Sequence, residues 1–213
     1  MTLHILTLCT GNICRSPLAA QLLAARLNPA HFEVASAGTS TVIGEPMQEA
    51  MQRIATRLGA EGLSTHQAIG MTPHAVGQAD LILGMDREHR RAAAKLLPNA
   101  ARRCFTLLEF AHVVSLIDAP MIESQLQPTG DRALDALNIA MRMRGVVPRL
   151  SPDRLYDVPD PYGRSKQVYE RAAKQIERAV DQIATFFHHT AALPEAATGK
   201  DATVTTPDSE YPK

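Results

Sequence analysis

Short apolar runs alternate along this chain with longer stretches in which apolar residues return every third or fourth position. The short runs, residues 3–8, 32–36, 81–84 and 104–106, predict buried strands; the longer ones, 16–27, 46–58, 87–95, 132–142 and 165–187, predict helices. In the last stretch Val168, Ala172, Ile176, Ala179, Val180, Ile183 and Phe187 form one helical face, fit to cover a sheet. Strands that are apolar throughout, spaced by helices, are the pattern of a parallel sheet buried on both faces. The expected fold is therefore a three-layer α/β/α sandwich around a central four-stranded parallel sheet. Open sheets of this kind bind ligands beyond the carboxyl ends of their strands, and the loop after residue 8 leaves the first strand at that edge.

Length and composition narrow this little. A chain of 213 residues with 45% hydrophobic content supports one domain, expected over residues 1–190, and a tail, 191–213, rich in Ala, Thr, Pro and acidic residues and expected to be disordered. Between 111 and 153 lies a longer segment with Pro120, Pro128, Thr129, Gly130, a helical pattern over 133–143, and Pro148. Its expected role is a packing extension or a rim over the cleft. Lys and Arg number 22, as do Asp and Glu, so the totals point to no nucleic-acid or membrane-surface partner. Three cysteines make no disulfide framework, and no charged segment followed by an apolar one opens the chain, so a soluble cytoplasmic protein is expected.

The chemistry concentrates in Cys9-Thr10-Gly11-Asn12-Ile13-Cys14-Arg15-Ser16, between the first strand and the first helix. A bare Cys-x5-Arg arises often by chance; context gives this one weight. Orphan amides and the helix dipole favour an anion at such a turn, a thiol in the same field is favoured as thiolate, and Arg15 offers a two-pronged donor to phosphate oxygens. Gly11 and Asn12 suit left-handed backbone, and Ser16-Pro17 reads as a cap with proline in the first turn. The loop has no Walker lysine, and the Cys9 and Cys14 spacing fits no usual zinc pair, so neither metal nor cofactor is expected.

Residues 9–17 resemble the signature of the low-molecular-weight protein tyrosine phosphatases, a family related to some arsenate reductases. Ser36-Ala37-Gly38-Thr39, Ser64-Thr65-His66, residues 79–86 and Asp160-Pro161-Tyr162-Gly163 follow in the family's order, so the likeness covers about 1–110 and 155–188. It implies a Rossmann-like fold of the phosphotyrosine protein phosphatase I type. It also implies catalysis by Cys9, Arg15 and the general acid Asp160, with substrate contacts from Thr10, Gly11, Asn12, Ile13, Cys14, Ser16 and Tyr162. By the same likeness the Asn12 amide holds the loop in shape, Ser16 donates to the Cys9 sulfur, and Ser36 and His66 complete a network behind the loop. His66 is expected to be structural. Asp157 is the fallback acid, Cys14 is either a small packing residue or a resolving thiol, and Cys104 reads as inert core.

The expected substrate is a phosphorylated protein carrying phosphotyrosine, or a small phosphomonoester. The loop Ser40-Thr41-Val42-Ile43-Gly44 lacks the aromatic wall that phosphotyrosine-selective relatives carry, which leaves Tyr162 as one aromatic wall and Gly163 where a second tyrosine often stands. Two alternatives remain open: an arsenate reductase on the same fold, needing relay thiols, and a phosphate- or phosphoprotein-binding module without turnover.

Overall fold

The protein is described from a computed structural model over residues 1–60, 65–125 and 131–193. A four-stranded sheet in the order β2 (Phe32–Gly38), β1 (Leu3–Cys9), β3 (Leu81–Gly84), β4 (Cys104–Thr106) forms its centre, and every neighbouring pair is parallel. The pleat divides the strand side chains between two cores. Leu3, Ile5 and Cys9 of β1, with Leu81, Leu83 and Phe105, join one core with α1 (Arg15–Arg26), α2 (Glu49–Arg57), α5 (Leu107–Ser115) and α8 (Lys166–Ala192). Leu6, Leu8, Ile82 and Cys104 join the other with α3 (Pro73–Gln78) and α4 (Arg87–Leu96). Leu8 is fully buried beneath the loop that follows it. Truncating such a leucine to alanine costs about 2–5 kcal/mol.

The sheet and its helical cover match the expected fold; the differences are local. Helix α1 begins at Arg15 with Cys14 as its N-cap residue and no capping side chain, so Ser16 is not the expected cap. Its hydroxyl is engaged by the sulfur of Cys9. Helix α5 was hidden because its apolar run continues that of β4; a Thr106–Glu109 capping box marks the boundary. The short helices α3 and α6 (Ala119–Gln125) were not expected either. Helix α8 continues past Phe187 to Ala192, so Ala191 and Ala192 are helical, while the rest of the expected tail, from residue 194, lies outside the described residues.

The segment 111–153 carries α6 and α7 (Arg132–Met143). Ile122, Ala136, Leu137, Ile139 and Ala140 enter the core that α5 and α8 share, so this stretch packs against the body of the molecule. Pro128, Thr129 and Gly130 lie outside the described residues.

Candidate active site

Cys9 ends the central strand β1, and Arg15 opens α1; the loop between them is fixed from outside. Thr39 N donates to Cys9 O at 2.9 Å, Ser40 N to Thr10 O at 3.0 Å, and Gln48 N to Ile13 O at 2.8 Å. The Thr41 hydroxyl donates to Gly11 O, and His66 Nε2 donates to Asn12 O at 2.7 Å. With its carbonyls engaged on the outer side, the loop can turn amides inward, as an anion cradle requires. Asn12 takes left-handed backbone at φ 55, a conformation that asparagine tolerates. Gly38 makes the close approach possible: a Cβ there would lie 2.6 Å from Thr10 O and 2.8 Å from Thr41 Cβ.

Two donors point at the nucleophile. Asn12 N reaches Cys9 Sγ at 3.2 Å, and Ser16 Oγ reaches it at 3.0 Å, an arrangement that suits a negatively charged sulfur. Behind the loop, Asn12 Nδ2 donates to Ser16 Oγ at 3.0 Å and to Ser36 Oγ at 2.9 Å, while Asn12 Oδ1 accepts from Ile69 N at 2.9 Å. Asn12, Ser16, Ser36 and His66, expected to act together, are thus joined around the loop by hydrogen bonds; Ser64, part of the resembling stretch, lies outside the described residues. Asn12 and Ser16 were also expected to touch substrate, a contact left to their backbone amides. Both residues are fully buried, so the side chains shape the loop and do not line the cavity.

Arg15 is only 2% exposed. Its Nη1 donates to Val158 O at 3.0 Å and meets Asp86 Oδ2 at 3.3 Å; its Nη2 pairs with Asp160 Oδ2 at 3.0 Å. Its Nε is buried and has no partner among the described residues. An unpaired buried guanidinium N–H, on a residue that lines the same cavity as Cys9, favours an incoming oxyanion. Asp86 also caps α4 through Glu88 N and His89 N, and His89 Nδ1 lies 2.8 Å from Asp86 Oδ1, off the line of a regular hydrogen bond. His89 Nε2 in turn lies 3.0 Å from Thr10 Oγ1. Burial alone would raise the Asp86 carboxyl, but bonding and charge from His89, then charge from Arg15, outweigh it and bring the pKa down to about 2. Sequence reasoning passed over Asp86 and His89 as functional positions; the readable signal was an Asp before a helix with a His three residues on.

Asp160 reaches the site from the far end of the chain. Its side chain is half exposed, at 51%, and Asp160 Oδ1 accepts from Tyr162 N at 3.2 Å. Asp157 is instead clamped by Arg87, which donates from its backbone N at 3.0 Å, from Nε at 3.1 Å and from Nη2 at 2.9 Å, so the fallback acid is occupied elsewhere. Val158 N donates to Met85 O at 2.8 Å and ties the segment to β3. Cys9, Thr10, Gly11, Ile13, Cys14, Arg15, Asp160 and Tyr162, all expected at the site, line one cavity of about 280 Å³, which Ser40, Val42 and Glu45 complete. Of the lining residues Tyr162 and Val42 are 61% and 66% exposed, so one aromatic and one aliphatic side chain stand at the mouth.

The other thiols differ in kind. Burial, then the neighbouring Cys9 charge, pushes the Cys14 thiol up to about 12 despite a hydrogen bond from Tyr169. Cys104 is buried in the opposite core from Cys9 and Cys14, with the sheet between them, and burial raises its thiol too.

Comparison with known proteins agrees with this geometry. Residues 4–124 match the family model described as low molecular weight phosphotyrosine protein phosphatase. The low molecular weight protein-tyrosine-phosphatase Ptp of Acinetobacter johnsonii is 36% identical over 104 residues, 49% of this chain and 71% of that protein. A protein-arginine-phosphatase of Geobacillus stearothermophilus is 26% identical over 184 residues, 86% of this chain and 95% of that protein. Among solved structures, Vibrio vulnificus Wzb in complex with benzylphosphonate superposes with a TM-score of 0.61 at 24% identity, covering 87% of this chain and 99% of that one, which is a likeness of fold.

Proposed function

The chain belongs to the low molecular weight phosphotyrosine protein phosphatase family, and from that premise we propose that it hydrolyses phosphomonoesters on proteins, phosphotyrosine first, through a phosphocysteine on Cys9. The observation that carries this reading is the pairing of a sulfur that accepts two hydrogen bonds with the buried, unpartnered Nε of Arg15 at the same cavity. A phosphate dianion entering the loop takes the Arg15 Nε and displaces Asp160 from Nη2, which frees the carboxyl for the leaving oxygen. The Cys9 sulfur attacks phosphorus; the S–P bond forms as the P–O bond breaks, and Asp160 protonates the departing phenol oxygen. Water then attacks the phosphocysteine, gives its proton to Asp160, and the S–P bond breaks to release phosphate and the thiolate. Donors fixed in advance around the phosphoryl oxygens are the larger part of such catalysis.

The catalytic unit is residues 1–190, and a reducing compartment such as the cytoplasm suits a working thiol. An arsenate reductase would need thiols that pass electrons to Cys9. Cys104 stands across the sheet, and burial pushes the Cys14 thiol up to about 12, so the relay has poor partners. A second substrate, phosphoarginine, is favoured by aliphatic Val42 at the mouth, where the aromatic wall expected for a phenyl ring is missing, and by the match to a protein-arginine-phosphatase. Phosphate release from phosphotyrosine, phosphoarginine and phosphoserine peptides by purified protein tests both. Turnover of the first, lost at least about 10⁴-fold in Cys9→Ser, is expected; faster release from phosphoarginine reverses the ranking, and binding without release leaves the non-catalytic module.

A further inference from the structure

A second cavity, of about 550 Å³, lies between α4, β4, the start of α5 and the stretch that follows α7. Among the described residues four guanidinium groups line it, Arg90 and Arg91 from α4 and Arg144 and Arg149 from the stretch after α7, against one lining carboxylate, Glu109. That carboxylate is overcommitted. Arg90 Nη1 and Arg144 Nη2 both donate to Glu109 Oε2 at 3.0 Å, Arg144 Nε donates to Oε1 at 2.9 Å, and Thr106 N donates to Oε2 at 3.2 Å. Arg144 is further fixed by stacking over Phe105, 4.0 Å from the ring centroid. The other two arginines have weaker claims on them: Arg91 pairs with Glu88, whose side chain is 78% exposed, and Arg149 lies 3.7 Å from Asp153.

Positive charge therefore exceeds negative in a concave, partly apolar space, with Val113 and Val147 in its wall. Two of its guanidiniums are held in place and two at the rim are free to exchange exposed partners for a ligand. We propose that this cavity is a binding site, separate from the Cys9 cleft, for a small polyanion that carries two or more phosphate or carboxylate groups. Its volume falls within the ordinary range for small-molecule sites, about 300–1,000 Å³. Arg144, Val147 and Arg149 all come from the segment 111–153, so the site gives that elaboration a purpose beyond packing.

Calorimetric titration of the full chain with tripolyphosphate and with citrate, at constant ionic strength, tests this. Because the Cys9 cleft also takes phosphates, the reference protein is Arg15→Ala, and no turnover is measured, so the outcome is independent of the phosphatase reading. One saturable site is expected to remain in Arg15→Ala and to weaken tenfold or more when the rim is neutralised by Arg91→Gln with Arg149→Gln, at an unchanged melting temperature. Saturation by tripolyphosphate alone assigns a phosphate-bearing ligand, by citrate alone a carboxylate-bearing one. No saturable binding of either in Arg15→Ala, or binding unaltered by the rim changes, overturns the proposal.

Discussion

The Cys9 loop and the segment that brings Asp160 to it are built on opposite plans. The loop is closed by partners on every side: its carbonyls are engaged by residues 39–48 and by His66, its interior by Asn12, Ser16 and Ser36, and its residues are nearly all buried. Asp160 is half exposed and held by Tyr162 N and by an ion pair to the guanidinium that the substrate must use. A receptor for charge works best when fixed beforehand, whereas an acid that serves two steps must change partners between them. The site therefore joins a rigid cradle to an acid that can move, and Arg15 links the two through Asp160 and Val158 O.

Breaking the movable half has the largest expected effect. Asp160→Asn is expected to lower kcat for aryl phosphates by about 10²–10⁴-fold and to leave phosphate release less dependent on pH on the alkaline side. Stopped-flow or steady-state profiles check this; an unaltered profile would move the acid elsewhere. Breaking the rigid half comes next. Arg15→Lys keeps the charge but loses the fork, and a loss of about 10²–10³-fold in kcat is expected, readable with any phosphomonoester.

Why one half was legible in the sequence and the other only in part follows from distance along the chain. The loop lies within eight consecutive residues between a strand and a helix, so its spacing and that local context together implied nucleophile, cradle and clamp. Asp160 was recovered through resemblance, because nothing local to an Asp-Pro marks it as an acid; its role depends on Arg15, far earlier in the chain. The sheet was legible because its strands are short, mostly apolar runs, even at the edge strand β2 where Glu33 is exposed, while α5 was lost where one apolar run passed from strand to helix. The ties of Asp86 to Arg15 and of Arg87 to Asp157 join residues some seventy positions apart and leave no local pattern.

Smaller effects sharpen the contrast. Arg87→Gln unclamps Asp157 and loosens the segment before Asp160; a fall in kcat of about fivefold is expected with KM little changed, and steady-state kinetics will tell. The smallest expected effect is a negative one. Because burial holds the Cys14 pKa near 12, that thiol stays protonated, and therefore poorly nucleophilic, throughout pH 6–9. Iodoacetate is expected to label Cys9 and spare Cys14 over that interval by peptide mapping; equal labelling of Cys14 would mean that the interior of the loop is not as closed as described.

The most direct measurement is mass spectrometry of protein quenched in acid during turnover of an aryl phosphate, followed by mapping of the peptide that contains Cys9. A phosphoryl group on the Cys9 sulfur, accumulating further in Asp160→Asn when the leaving group needs no acid, is the predicted result. Steady turnover with that sulfur never modified would contradict the account.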